Sequence, residues 1–273
     1  MSDDRPIRPA AVREHNRRAW DARVAARGRF TKPAGDEDFF DPLRNVDGVG
    51  WLGDSIAGKR LLCLGAGGGK HSVIYAAAGA EVTVVDISPA MLALDREVAT
   101  ERRLQVRTVE ASMDDLTSLG AGEFEIVVHP VSTCYLPDIR AVYREVARVT
   151  AIGGVYVSQH KQPVSLQADV KPTDQGYLVR EPYYRAGPLP PVAHSLHREE
   201  GTLEFLHRWE DLLGGLCRAG FMIEDLLEPF HANPKAEAGT FSHRSQFVPP
   251  YVRIKARRMG IAPAATGRVW TPS

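Results

Sequence analysis

The chain has 273 residues, 44% of them hydrophobic and 25% charged, enough for one large core or two smaller ones. Its 34 Lys and Arg balance 34 Asp and Glu, and a chain with no basic surplus is a poor match for a nucleic-acid partner. Cys63, Cys134 and Cys217 lie far apart without CxxC pairing, no apolar leader follows the first residues, and no run approaches the roughly 20 apolar residues of a membrane span, so a reduced, cytoplasmic protein is expected.

Residues 10–27 follow Pro9 and lack Gly and Pro, with Val12, Ala19, Trp20 and Val24 near one face, which predicts a helix with a narrow apolar stripe. The next segment is rich in Gly, Pro and Asp and reads as a linker, with a short helix opened by the N-cap pair Asp41-Pro42. From Lys59 onward, short apolar runs alternate with helical stretches. The runs are RLLCLG at 60–65, EVTVVD at 81–86, LQVRTVE at 104–110, FEIVVH at 124–129 and GVYVSQH at 154–160. Unbroken apolar runs suit strands buried on both faces, and the stretches between them suit right-handed crossover helices, so the fold class is α/β, a doubly wound Rossmann-like sheet. Ser88-Pro89 and Leu136-Pro137 read as helix starts, and Gly79 and Gly153 as helix ends.

Beyond His160 the alternation stops. Residues 161–207 hold many prolines and read as a lid or acceptor-binding insert, within which GYLVREPYY and HREEGTLEFLHR each have strand character. A helix at WEDLLGGLCRAG and strands at FMIEDLLEPF and YVRIKARR complete the pattern. The organisation expected is a helical cap over 1–50 and one ligand-binding domain over 51–273 that carries the insert.

The most informative segment is LCLGAGGGKHS, Leu62 to Ser72, at the end of the first strand and the start of the first crossover helix. Gly65 and Gly67 permit a tight turn and a close approach of backbone N–H groups to a ligand at a positive helix end. The second strand ends in Asp86, where an acid can accept hydrogen bonds from ribose hydroxyls. A dinucleotide fingerprint would need a glycine where this chain has Lys70; the glycines read GxGxG at Gly65, Gly67 and Gly69, which disfavours NAD.

These segments together resemble class I S-adenosylmethionine-dependent methyltransferases. LCLGAGGG is similar to the family's first motif, VTVVDISPAML to the second strand with its ribose acid, and FEIVVHPVSTCYLPD to the fourth-strand motif. REVARVTAIGGVYVS looks like the helix and fifth strand, with the GG turn at Gly153-Gly154. GFMIEDLLEP and YVRIKARR are similar to the sixth and the antiparallel seventh strands, so the resemblance runs over about residues 59–260. It implies a seven-stranded sheet and S-adenosyl-L-methionine as cofactor, with S-adenosyl-L-homocysteine as product. Carried over by position, it implies that Leu64, Gly65, Ala66 and Gly67 pass beneath the methionine part, that Asp86 holds the ribose, and that Ile87 and Met91 flank the adenine. Ser112 and Met113 stand where relatives place an adenine-binding aspartate, which leaves that contact to backbone or to Asp114. His129, Pro130 and Val131 line the sulfonium end, Trp20 caps the cleft, and Glu125 is a structural acid at a strand start.

An amine or hydroxyl acceptor must lose a proton, and histidine is the natural base. His129 and His160, at the ends of adjacent strands, are the catalytic candidates; His194, His197 and His207 follow. HSLH lacks helical i, i+4 presentation, so no metal is expected. Tyr177, Tyr183, Tyr184 and Phe205 either wall an acceptor pocket or pack the insert onto the sheet. The basic run Arg253, Lys255, Arg257 and Arg258 reads as a solvated strand end. The expected function is methyl transfer to a nitrogen or oxygen of a small molecule by a monomer or homodimer, without nucleic-acid or membrane partners. The alternatives are a nucleic-acid or protein methyltransferase, a nicotinamide oxidoreductase and a non-catalytic nucleoside-binding subunit.

Overall fold

The computed structural model describes residues 8–193 and 195–260. Seven strands form one sheet: β1 (Arg60–Leu64), β2 (Glu81–Asp86), β3 (Val106–Glu110), β4 (Phe124–His129), β5 (Thr150–Lys161), β6 (Phe221–Leu227) and β7 (Tyr251–Arg258). Their spatial order is β3-β2-β1-β4-β5-β7-β6. β7 runs antiparallel to both its neighbours, and the pairings among β1 to β5 are parallel. The order turns back on itself at β1 and β4, the switch point outside which open α/β sheets hold ligands.

Side-chain alternation along each strand feeds two cores. Leu62 and Leu64 of β1 face one side, with Val127, Tyr156 and the apolar face of α5 (Ile139–Val149). Leu61 and Cys63 face the other, with Val82, Val84, Ile126 and Val128. The helices α3 (His71–Ala77) and α4 (Pro89–Arg102) cover the β1–β2–β3 half. Ser88 caps α4, its Oγ accepting from the Met91 N–H at 3.1 Å, and Pro89 opens the helix as the sequence implies.

α5 starts two residues later than Leu136-Pro137 implies: Asp138 is the N-cap and Ile139 the first helical residue. Gly153 does not end that helix. It lies within β5 at φ +80°, beside a register shift against β4, while α5 closes at Val149. The helix expected over 209–220 is a wide π-type turn, Glu210–Gly214, that passes into α7, Gly215–Arg218, after α6 (Pro163–Gln167). Two strands expected in the insert do not form; the segment makes isolated bridges at Ala168–Val179 and Thr173–Gly176. Its backbone instead meets side chains and neighbouring loops, as where the Phe205 N–H donates to the Cys134 carbonyl at 2.7 Å.

The N-terminal helix α1 (Pro9–Ala25) lies across the carboxyl edge of the sheet, and α2 (Pro42–Val46), capped by Asp41, packs on α3. Polar latches fix α1. Asn16, buried, donates to the carbonyls of Tyr135 and Leu203 and accepts from the Leu203 N–H at 2.8 Å. Asp21 accepts from Ser88 Oγ at 2.6 Å. A last short helix, α8 (Phe241–Arg244), precedes β7. Among the described residues no helix is long and apolar enough to cross a membrane, and no group of His, Cys, Asp and Glu is arranged to hold a metal.

Candidate active site

A cavity of about 600 Å³ opens at the carboxyl edge of the parallel strands. Its floor on one side is the loop from β1 into α3. Gly65, at φ +57°, has no room for a side chain, since a Cβ there would lie 2.6 Å from Ser132 Oγ. At Gly67 a Cβ would come 2.8 Å from the Met91 Cβ and 3.0 Å from the Asp86 carboxylate. The loop therefore runs flush against the end of β2. The Gly67 N–H donates to Asp86 Oδ2 and the Ser88 N–H to Asp86 Oδ1, each at 2.9 Å. Burial pushes the Asp86 carboxyl above its ordinary range, against the pull of these backbone donors. Behind the loop Asp95 is fully buried, accepting from the Gly68 N–H at 3.0 Å and from Ser72 Oγ; burial raises its pKa to about 6.

Ala66, Ile87, Met91, Ser112 and Met113 line the same half, and Pro130 and Val131 line it where β4 ends. Ser112 Oγ donates to Asp114, which also holds Arg13 of α1 at 2.6 Å. Trp20 closes the cavity from above, edge-on to Tyr135 with ring centroids 5.6 Å apart. Leu64 does not line the cavity: its side chain belongs to the core beneath, the parity opposite to Cys63.

The two histidines expected to act as bases do not reach the cavity. His129 is 1% exposed, with Nδ1 paired to the Tyr156 hydroxyl and Nε2 to Ser132 Oγ, each at 2.8 Å. Burial lowers its pKa to about 3. His160 is 1% exposed, bonded to Thr133 Oγ1 and Ser158 Oγ at 2.8 Å, and burial holds it well below the ordinary imidazole range. Both sit on the sheet face of Tyr156, by the two-residue period of β4 and β5. Gln159, of opposite parity to His160, is the β5 residue that reaches the cavity. His207 is spent on the Thr133 carbonyl at 3.0 Å, His197 stacks on Phe241, and His194 lies outside the described residues. Among the described residues the imidazoles lining the cavity are His71 and His231. Burial, with the charges of Lys70 and Arg253, lowers His71 to about 4; burial and Arg253 lower His231.

The insert aromatics pack among themselves and on neighbouring loops rather than on the cavity. Tyr177 meets His243 and Phe247, Tyr183 meets Tyr184, and Phe205 is buried. Among the described residues of 161–207, Glu199 alone lines the cavity. Its Oε2 accepts from the Tyr135 hydroxyl at 2.9 Å and from Lys161 Nζ at 2.6 Å. Lys161 also donates to Glu204 at 2.5 Å, and Arg198 pairs with the other Glu204 oxygen. Burial opposes ionisation of both acids; the Lys161 charge and the bonds it shares with Tyr135 overcome it at Glu199, whereas Glu204 is shifted upward.

The remaining wall comes from the antiparallel strand and the segment before it. Because β7 runs against the sheet, its first residues lie at the carboxyl edge, and Tyr251 and Arg253 join His231 and Phe241 there. The basic run thus divides. Lys255 and Arg257 pair with Glu224 on β6, while Arg253 is exposed, as a solvated strand end should be, and also lines the cavity beside Gln159. Glu125 holds Lys59 at 2.8 Å and is structural, as its place at a strand start implies.

Comparison with known proteins gives concordant likenesses. The family described as a methyltransferase domain matches residues 62–158. An uncharacterized methyltransferase of Bacillus subtilis (strain 168), YbaJ, is 33% identical over 233 residues, 80% of this chain and 91% of that protein. A ubiquinone biosynthesis O-methyltransferase of Xanthomonas oryzae pv. oryzae is 34% identical over 99 residues, a match confined to 36% of this chain and 41% of that protein. Among solved structures, an S-adenosylmethionine-dependent methyltransferase from Mesorhizobium loti shares the fold, with a TM-score of 0.61 at 22% identity, covering 75% of this chain and 93% of that one.

Proposed function

The chain belongs to the class I S-adenosylmethionine-dependent methyltransferases, and from that premise we propose that it transfers a methyl group to a nitrogen or oxygen of a small-molecule acceptor. The observation that carries the small-molecule reading is the cavity: its volume of about 600 Å³ is within the range of small-ligand sites, and it is walled by the cap, the insert and the segment before β7. The partial match to O-methyltransferases of ubiquinone biosynthesis supports oxygen as one receiving atom.

The residues of the cofactor half fit an S-adenosyl group. A Cβ at Gly65 would strike Ser132 and one at Gly67 would strike Met91 and Asp86, so glycine at both positions lets the loop lie flush against the acid that would hold the ribose. Each Asp86 oxygen accepts one backbone N–H and keeps a lone pair for a ribose hydroxyl. Ile87 and Met91 would flank the adenine, Ser112 and Met113 would border its edge, and Pro130 and Val131 would line the sulfonium end beneath Trp20. The cofactor, when bound, supplies an activated methyl with its own leaving group. What remains for the chain is alignment, exclusion of water and removal of a proton. His71 and His231, neutral at pH 7 and exposed to the cavity, are the bases within reach of an acceptor there. In this scheme residues 1–50 are a cap, 51–273 the catalytic domain and 161–207 a lid that supplies Glu199.

The test is transfer of an isotopically labelled methyl from S-adenosylmethionine to a panel of phenols, amines and hydroxy acids, followed by mass spectrometry and carbon NMR. Label on oxygen or nitrogen of a small molecule is expected. Label on carbon, on protein or on nucleic acid overturns the proposal.

A further inference from the structure

The charges around the cavity are unequal, and pairing makes them more so. Arg13 is held by Asp114 at 2.6 Å and Lys70 by Asp38 at 3.2 Å. The acids are also committed: Glu199 to Lys161 and Tyr135, Asp86 to two backbone N–H groups. Three further cations line the cavity, Arg29, Lys32 and Arg253, and among the described residues none has a carboxylate within ion-pair distance. A site with that balance favours anionic ligands and works against an ammonium group.

Arg253 is the most defined of the three. Its Nε donates to Gln159 Oε1 at 2.6 Å, across the β5–β7 pair, which orients the guanidinium and leaves its two terminal amino groups without a protein acceptor among the described residues. A guanidinium fork of this kind matches the two oxygens of a carboxylate or a phosphate. Beside it three rings form an apolar wall: His231 lies 5.6 Å from Tyr251 and 5.4 Å from Phe241, and Phe241 lies 6.3 Å from Tyr251, centroid to centroid. All three line the cavity with Arg253.

We propose that the acceptor is an anion, its carboxylate or phosphate gripped by Arg253 and its body packed on the rings of Phe241, Tyr251 and His231. The inference rests on the methyltransferase reading and adds the charge class of the acceptor. Burial and the same guanidinium lower the affinity of His71 and His231 for protons, at His71 with Lys70 adding to the effect and Asp38 opposing it, so an anion seated on Arg253 relieves the guanidinium's share at both imidazoles.

The experiment follows the two imidazoles by NMR in the full chain saturated with S-adenosylhomocysteine, whose binding is first verified by calorimetry. Benzoate, inorganic phosphate, benzamide and benzylammonium are titrated separately, with sodium chloride at matched ionic strength as reference. An anion on Arg253 should raise both apparent pKa values by about half a unit or more, with the neutral and cationic probes silent. Benzoate alone acting assigns a carboxylate, phosphate alone a phosphate. Arg253→Gln should abolish the response without altering S-adenosylhomocysteine affinity, and Arg253→Lys should keep part of it. Silence of both anions relative to chloride, a response that survives Arg253→Gln, or a matching effect of benzylammonium overturns the proposal. Failure of the native chain to bind S-adenosylhomocysteine would instead count against the cofactor reading.

Discussion

The two halves of the cavity are built in different ways. The cofactor half is centred on two chain segments that follow one another closely, the β1–α3 loop and the β2–α4 turn, with the ends of β3 and β4 beside them, and the contacts that fix the glycine loop against Asp86 and Asp95 include backbone N–H groups on both carboxylates. The acceptor half is assembled from α1, the turn after β4, β5, the insert, the segment before β7 and β7 itself, and it relies on side chains: the Lys161–Glu199–Glu204–Arg198 cluster, the rings around His231 and the fork of Arg253. A backbone-built site tolerates side-chain change except where the backbone itself must pass. A side-chain-built site can be altered piece by piece, which is how one fold serves many acceptors.

That difference sets the order of the effects that substitutions should have. Gly67→Val should be the most severe on the cofactor side. A branched side chain there has no space against Met91 and Asp86, so calorimetry should find no saturable binding of S-adenosylmethionine while circular dichroism still reports a folded sheet. Lys161→Met should act on stability, because it removes the cation that two buried carboxylates share and leaves Glu199 with the Tyr135 hydroxyl and Glu204 with Arg198; a loss of about 3–5 kcal/mol is expected in denaturant unfolding. A much smaller loss would mean that Glu204 carries a proton and the cluster needs less of Lys161. Asp86→Ala should weaken cofactor binding by about 1.5–3 kcal/mol, the range for a hydrogen bond to a charged group, and unchanged affinity would place the ribose elsewhere.

The smallest effect concerns His129. Its pKa is about 3 in the folded chain, against about 6.5 for a free imidazole, so the unfolded chain binds more protons below pH 6.5. The stability it contributes is therefore present above pH 6.5 and is lost as the pH falls toward 3. His129→Gln should flatten the fall in unfolding free energy between pH 6 and 4 by up to about 1.4 kcal/mol per pH unit. An unchanged slope would show that this imidazole is already protonated in the fold. Methyl transfer should survive the substitution wherever the protein remains folded, since the imidazole does not face the cavity.

Reading strand ends without their parity is what misplaced the two histidines. FEIVVH and GVYVSQH both end in histidine at the ligand edge, but the pleat sends His129 and His160 to the side of Tyr156, and Gln159 to the cavity. The aromatic-rich insert misled in another way. Composition gives the number of rings but not which cluster they join, and Tyr177, Tyr183, Tyr184 and Phe205 all found partners elsewhere. A signal for part of the acceptor wall was available: once YVRIKARR is read as an antiparallel strand, its first residues fall at the carboxyl edge, and its pairing with β5 puts Tyr251 and Arg253 near Gln159.

The sequence by itself determined the doubly wound sheet, the glycine loop and the acid at the end of β2, because each rests on interactions within a few residues or on the period of a single strand. It also carried the family, through motifs whose spacing is fixed by the sheet. Only the tertiary structure decided which histidines face the cavity, that Glu199 reaches it through Tyr135 and Lys161, and that one arginine of the basic run leaves Glu224 to its neighbours and turns to the site. Those outcomes depend on pairings between segments about 30 to 90 residues apart, where the favoured arrangement is set by packing and burial of the whole chain rather than by local preference.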